Sequence, residues 1–157
     1  MTIPQGAEGP TTGGQSTAPT GYAHNGPGAA LAAISSTIRM SVAGDDQWAQ
    51  IAGTLAAPGP GRDAWSIDRT RISITTAVPA GQAPTVLGYL ITDYSPDRAV
   101  IAIVTRQPDQ SLTSTTSTVV WTPPGDWRRL LPDPATSTEN PVTVLYDVPP
   151  HMISLSA

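Results

Sequence analysis

The sequence predicts an α+β fold, with two or three N-terminal helices packed on a curved antiparallel sheet of about five strands. Three observations carry this. Apolar side chains recur at helical spacing between residues 31 and 55. From Arg71 onward the period falls to two. The later runs are joined by connections too short for a crossover, so neighbouring strands must run antiparallel.

The first helix is capped by Asn25 and starts on Gly26-Pro27. Leu31, Ile34, Ile38 and Val42 then recur among small Ala and Ser residues, and Gly44 stops it. Asp45 or Asp46 caps a second helix carrying Trp48, Ile51 and Leu55 on one face. Ala57-Pro58-Gly59-Pro60-Gly61 ends it. Residues 62–69 form a short third helix. The first predicted strand is 71–78, where Ile72, Ile74, Thr76 and Val78 alternate before the Pro79-Ala80-Gly81 turn. Strands over 86–94, 98–106 and 112–122 follow, linked by Ser95-Pro96-Asp97 and Gln107-Pro108-Asp109-Gln110. A Pro-Pro-Gly-Asp turn, with Trp121 before it and Trp127 after it, leads into a fifth strand over 127–131. Val142, Val144 and Tyr146 alternate again after a Pro-rich loop.

The third predicted strand is apolar on both faces, with Ala99, Ile101 and Ile103 on one and Val100, Ala102 and Val104 on the other. Such a strand is central and covered twice. Helices cover one face; curvature, the C-terminal segment or a partner chain covers the other. Residues 1–20 are mostly Gly, Pro, Thr, Ser and Gln, a composition that predicts a disordered linker ahead of a single domain over 21–157.

Composition excludes several function classes. The chain has 157 residues, a formal net charge of −4, no cysteine and no lysine. An acidic surface disfavours a phosphate backbone, so no direct nucleic-acid partner is expected. Schiff-base, P-loop and thiol chemistry lack their residues. No apolar run reaches the roughly 18 residues of a membrane span. The start, Met1-Thr2-Ile3-Pro4, has neither the charged nor the apolar region of a signal peptide.

Each residue with chemical potential has a simpler structural reading. His24 could be a base at the head of the first helix, but no second base or nucleophile lies nearby, and His24 and His151 have no metal-ligand spacing. Asp93 and Tyr94 could act as acid and base, yet alternation points them to opposite faces. Capping explains Asp45 and Asp46. Arg69 and Arg71 would share one strand face, neutralised by Asp63 and Asp68 as exposed ion pairs. Arg128 and Arg129 alternate, so one faces water. Trp121 and Trp127 could be a stacking platform, but a cross-strand pair that sets register is commoner. No catalytic, cofactor-binding or metal-ligating residue is therefore assigned, and no cofactor is expected.

Helices followed by a curved antiparallel sheet resemble the cystatin-like, nuclear-transport-factor-2-like cone. Local features resemble a narrower group. Gly21-Tyr22-Ala23-His24 precedes the Ala-rich helix, Gly88-Tyr89 lies in a strand, and Tyr94-Ser95-Pro96 precedes Ala99-Val100. Val119-Val120-Trp121 is followed by Gly125-Asp126-Trp127-Arg128. Together these span about residues 21–131 and look like the extracytoplasmic domains of actinobacterial conjugative-transfer proteins, similar to the TcpC and VirB-type assembly proteins of type IV secretion. That resemblance implies a non-catalytic assembly domain, outside the membrane and anchored through a segment absent from this chain. Its partners would be copies of itself or other secretion or conjugation subunits. The alternative is a small-molecule-binding protein, or an isomerase- or hydratase-like enzyme, of the same cone fold, since fold alone does not decide function.

Overall fold

The computed structural model describes residues 3–14, 16–123, 125–137 and 140–155. Pro124 of the predicted hairpin turn lies outside them. Three helices precede a six-stranded antiparallel sheet, the α+β arrangement that the change of period predicts. Helix α1 (Gly26–Val42) starts as its sequence dictates: the Asn25 side chain accepts the Gly28 N–H at 2.8 Å, and proline occupies the first turn, where no N–H is needed. Helices α2 (Trp48–Leu55) and α3 (Pro60–Arg69) follow.

The sheet runs in the order β4-β3-β2-β1-β6, and β5 pairs with the same edge of β3 that β4 uses further along. Strands β1 (Thr85–Tyr94), β2 (Arg98–Arg106), β3 (Leu112–Thr122) and β4 (Asp126–Leu130) match the predicted later strands. Strand β5 (Val142–Leu145) matches the last alternating run, and β6 (Ile153–Ser154) adds to the free edge of β1. Two register shifts break the pairing of β1 with β2, after Val86 and after Ile91. Such bulges bend a strand and increase its twist.

The core lies between α1 and one face of the sheet. Ala99, Ile101 and Ile103 of β2 and Val119 of β3 meet Ala30, Leu31, Ile34 and Ile38 of α1. On the opposite face of β2, Val104 is fully buried while Val100 and Ala102 are half-buried. Its partner there is Gly88, and a Cβ on Gly88 would lie 3.0 Å from the Met152 side chain. The C-terminal segment thus supplies cover at this point, one of the three sources expected for the second face.

Three expectations are corrected. Residues 71–78 form no strand: Ile72 and Val78 are exposed, and the segment is held at its middle by Asp45, whose N–H donates to the Ile74 carbonyl while its carboxylate accepts the Ile74 N–H. Alternation without a partner edge is not a strand. Nor does Asp45 cap α2, whose N-cap is Gln47 with no side-chain bond. Asp45 instead pairs with Arg69 at 2.8 Å. Arg69 sits in the last turn of α3, 4% exposed, and also donates to the Ala43 and Ile72 carbonyls. Only Arg71 makes the exposed pair expected of it, with Asp68 at 3.3 Å.

The third correction concerns the lead. The residues whose composition suggests a linker are laid along α1. Ala23 N–H donates to the Glu8 carbonyl, Thr11 to Gly21, and Thr12 and Thr20 bond each other reciprocally. Arg39 of α1 donates to the carbonyls of Gly14 and Thr17. Ile3 packs on the main core, Ala18 on the smaller cluster around Met40, and Pro19 is fully buried. Backbone bonding and a few apolar anchors order a segment that composition alone leaves free.

Two glycines in helices separate packing from propensity. A Cβ on Gly61 would meet the Leu131 carbonyl oxygen at 2.2 Å, whereas one on Gly53 meets nothing within 4 Å. Gly61→Ala is expected to destabilise the fold by about 1–3 kcal/mol through overpacking, and Gly53→Ala to stabilise it by up to about 1 kcal/mol through helix propensity. Urea denaturation of both variants checks the opposite signs.

The Asp45 carboxylate accepts from Ser73, Ile74 and Arg69, which together lower its pKa to about 2. A carboxylate depressed by folding stabilises the fold above its unfolded pKa of about 3.9, and that contribution is lost as pH falls towards the folded value. Asp45→Asn is therefore expected to lower the melting temperature at pH 7 and to flatten the loss of stability between about pH 4 and about pH 2. A pH series of thermal melts on both proteins tests it.

Candidate functional site

Four short segments meet at one corner of the molecule. Asp126 opens β4, and its carboxylate accepts the N–H groups of Gly21 at 2.9 Å, Tyr22 at 3.1 Å and Trp127 at 2.9 Å. Trp127 is 3% exposed and donates its indole N–H to the Ala23 carbonyl at 2.9 Å. Trp121 faces Trp127 across the hairpin, edge to face, with centroids 5.4 Å apart. The His24 ring stacks flat on Trp121 at 3.8 Å and donates Nε2–H to the Pro96 carbonyl. Tyr94 tilts towards Trp127 at 6.2 Å. The Trp121 N–H reaches the Asp97 carbonyl, tying the turn between β1 and β2 to the hairpin.

This corner brings several short motifs of the sequence into contact. The lead before α1, the Tyr94-Ser95-Pro96 turn and both halves of the Trp hairpin are parts of one clamp. Trp121 and Trp127 form the expected register pair, and His24 completes an aromatic stack. The arrangement is suited to holding three loops in place; with Nε2 committed to Pro96, His24 has no nucleophile to activate among the corner residues. Asp93 is exposed in the same strand end and makes no side-chain hydrogen bond among the described residues, and His151 is exposed near the C-terminus. Among the described residues, no group of three His, Cys, Asp or Glu side chains could hold a metal ion.

A second feature lies where β3 changes partners. It pairs with β5 over Leu112–Thr115 and with β4 from Thr118; between them the Thr116 N–H donates to the Pro141 carbonyl at 2.8 Å, just ahead of β5. A cleft of about 500 Å³ lies at this junction, walled by the α2–α3 connection and the end of β4. The α2–α3 connection also covers the outer edge of β4, because Ala57 N–H donates to the Arg129 carbonyl. Arg62, Arg98 and Arg129 line the cleft. Arg129 points towards α1, 3.9 Å from Met40 Sδ, and burial pulls its pKa down to about 10. Sequence alternation marks Arg128 and Arg129 as facing opposite ways, but not that Arg129 is the enclosed one.

A third feature is apolar. Val142 and Val144 pair with Thr115 and Thr113. Those threonines belong to the sheet face that carries Ile103 and the core. The main contacts of the helices with the sheet are to β1 to β4. The core face therefore continues into solvent, with Val142 43%, Val144 69% and Tyr146 99% exposed. A groove of about 410 Å³ between α1 and residues 74–78 is lined in part by Ile38, Arg39 and Val42. Among the described residues no helix is long and apolar enough to cross a membrane.

Asp126→Ala would leave three amides without their acceptor. It is expected to cost about 2–3 kcal/mol and to weaken the near-ultraviolet circular dichroism of the Trp121–Trp127 pair. Asp93→Ala, at an exposed carboxylate with no side-chain hydrogen bond among the described residues, should change stability by less than about 0.5 kcal/mol. Chemical denaturation followed by tryptophan fluorescence distinguishes the two.

Comparison with known proteins places these features in a family. The model of the family described as "Domain of unknown function (DUF8175)" matches residues 2–148. No curated protein and no solved structure matches the chain. The match takes in the lead, all three helices and strands β1 to β5, so the chain belongs to this family.

Proposed function

We propose that this DUF8175 member is a non-catalytic assembly domain, the extracytoplasmic part of a membrane-anchored conjugation or secretion apparatus protein. The observation that carries the assembly reading is the uncovered core face on β5, where Val142 and Val144 are exposed, with Tyr146 fully exposed just beyond the strand. An apolar row of this kind on an edge strand is an aggregation liability unless a partner covers it. The outer edge of β5 pairs with no strand among the described residues. It is open to strand addition, in which main-chain bonds supply affinity and alternate side chains fill the partner's surface. A second copy presenting the same strand antiparallel satisfies both halves at once, as a two-fold interface requires.

The conjugation setting rests on the resemblance of the corner motifs, and the anchor would be a segment outside this chain. The aromatic clamp suits such a role, because it stiffens the domain without offering a reacting group.

Sedimentation velocity is expected to show reversible dimerisation that rises with concentration. Val144→Arg with Tyr146→Arg is expected to abolish it, while far-ultraviolet circular dichroism stays unchanged. In the native host, a photo-crosslinker at position 146 should capture a second copy in the membrane fraction, accessible to external protease. A monomer at every concentration, with no crosslink, overturns the assembly reading; a cytoplasmic product overturns the extracytoplasmic one.

A further inference from the structure

Strand β1 has ten residues, and one of its edges pairs with β2 from Thr85 to Tyr94. Its other edge pairs only with β6, through Gly88↔Ser154 and Tyr89↔Ile153. One further bond runs from the Leu155 N–H to the Leu87 carbonyl at 2.9 Å. From Leu90 to Tyr94 this outer edge meets no strand among the described residues. An unpaired edge is a template for an added strand.

The seat at Gly88 is shaped for a main chain. Gly88 is buried, and a Cβ there would overlap the Ile153 carbonyl oxygen. A glycine inside a strand marks such a close approach of another backbone. Met152 lies over the sheet face that carries Val104, and Leu155 packs on the main core on the other face. Two apolar side chains three positions apart thus grip the edge from both sides.

The occupant is held by little. Ile153 is 47% exposed and Ser154 is exposed. His151, just ahead of them, has a backbone φ of 65°, which is unfavourable for a residue that carries a Cβ. There the chain turns away from the edge, and the Met152 N–H donates to the Pro149 carbonyl at 3.4 Å. The family match ends at residue 148, so the seat lies within the matched residues and its occupant lies beyond them.

We propose that the outer edge of β1 is an acceptor site for an extended segment of a partner protein, one with two apolar side chains three positions apart. The C-terminal segment of this chain is its displaceable internal occupant. A partner segment without the turn at His151 runs on past Tyr89 to Leu90 and Ile91, ahead of the second bulge in β1. The added main-chain bonds supply affinity, and the two apolar positions supply selectivity. The site is on the opposite side of the sheet from β5 and does not depend on assembly.

The test is fluorescence anisotropy with a labelled, amidated peptide, Thr-Val-Thr-Met-Ile-Ser-Leu, which joins an extended lead to the sequence of residues 152–155. The intact chain is expected to bind it saturably. Met152→Asp with Leu155→Asp, which expels the internal occupant, is expected to tighten binding about tenfold or more. N-methylation of the peptide's leucine removes the N–H that meets the Leu87 carbonyl and is expected to weaken binding about tenfold. Gly88→Val in the opened chain is expected to abolish binding; should that variant fail to fold, the methylated peptide tests the same main-chain bond. The Val144→Arg/Tyr146→Arg chain is expected to bind the peptide unchanged, which separates this site from dimerisation through β5. Absence of binding to the opened chain, no gain on opening it, or equal binding of the methylated peptide overturns the proposal. Self-association of the Val144→Arg/Tyr146→Arg chain that the peptide reverses would make a second copy the occupant, and overturns the assignment to a partner protein.

Discussion

Helix α1 has no solvent face along its middle. Residues 28–36 are buried without interruption. A helix apolar all round must be covered all round, and the rest of the structure follows from that requirement. The sheet covers one side through Ala99, Ile101, Ile103 and Val119. The lead covers another, held by Arg39 and by backbone bonds between residues 8–12 and 20–23. Small Ala and Ser side chains let both layers approach closely, which is why the helix is Ala-rich and not Leu-rich.

Two covers on one helix need a device that keeps them together, and the aromatic corner is that device. Asp126 reaches from the hairpin to the amides at the end of the lead, and Trp127 reaches to the next carbonyl along. His24 then stacks on Trp121 immediately before Asn25 caps α1. One clamp thereby sets the end of the lead, the start of the helix and the register of the hairpin. At the opposite end of α1, Arg69 and Asp45 do comparable work, tying α3 and residues 72–74 to the α1–α2 connection. The exposed face of β5 lies on the side of β3 away from β2, away from the main helix contacts with the sheet.

Much of the fold was legible because it rests on local chemistry. Asn25 before Gly-Pro, the Pro-Gly run after α2 and the doubly apolar β2 each specify backbone through one or two residues. The predicted strand over 71–78 failed because alternation shows only which residues could share a face, and pairing requires a free edge within reach. The lead failed for the converse reason. Its order comes from carbonyls and amides that composition does not count, and the one available signal was in α1, whose apolar residues exceed what a single sheet face can cover. Arg69 was read as exposed because its partner, Asp45, is 24 positions away.

By itself the sequence determined the class of the fold, the position of the helices, the central place of β2 and the exclusion of lysine, cysteine and P-loop chemistry. These depend on residue type, short spacing and periodicity, which are properties of the chain before it folds. The tertiary structure decided which charges meet, which arginine is enclosed, where the lead lies and which apolar row remains uncovered. Each of those depends on contacts between segments distant in sequence, and on how far a helix of fixed length reaches across a sheet. Periodicity places a side chain on a face, but only packing determines what that face meets.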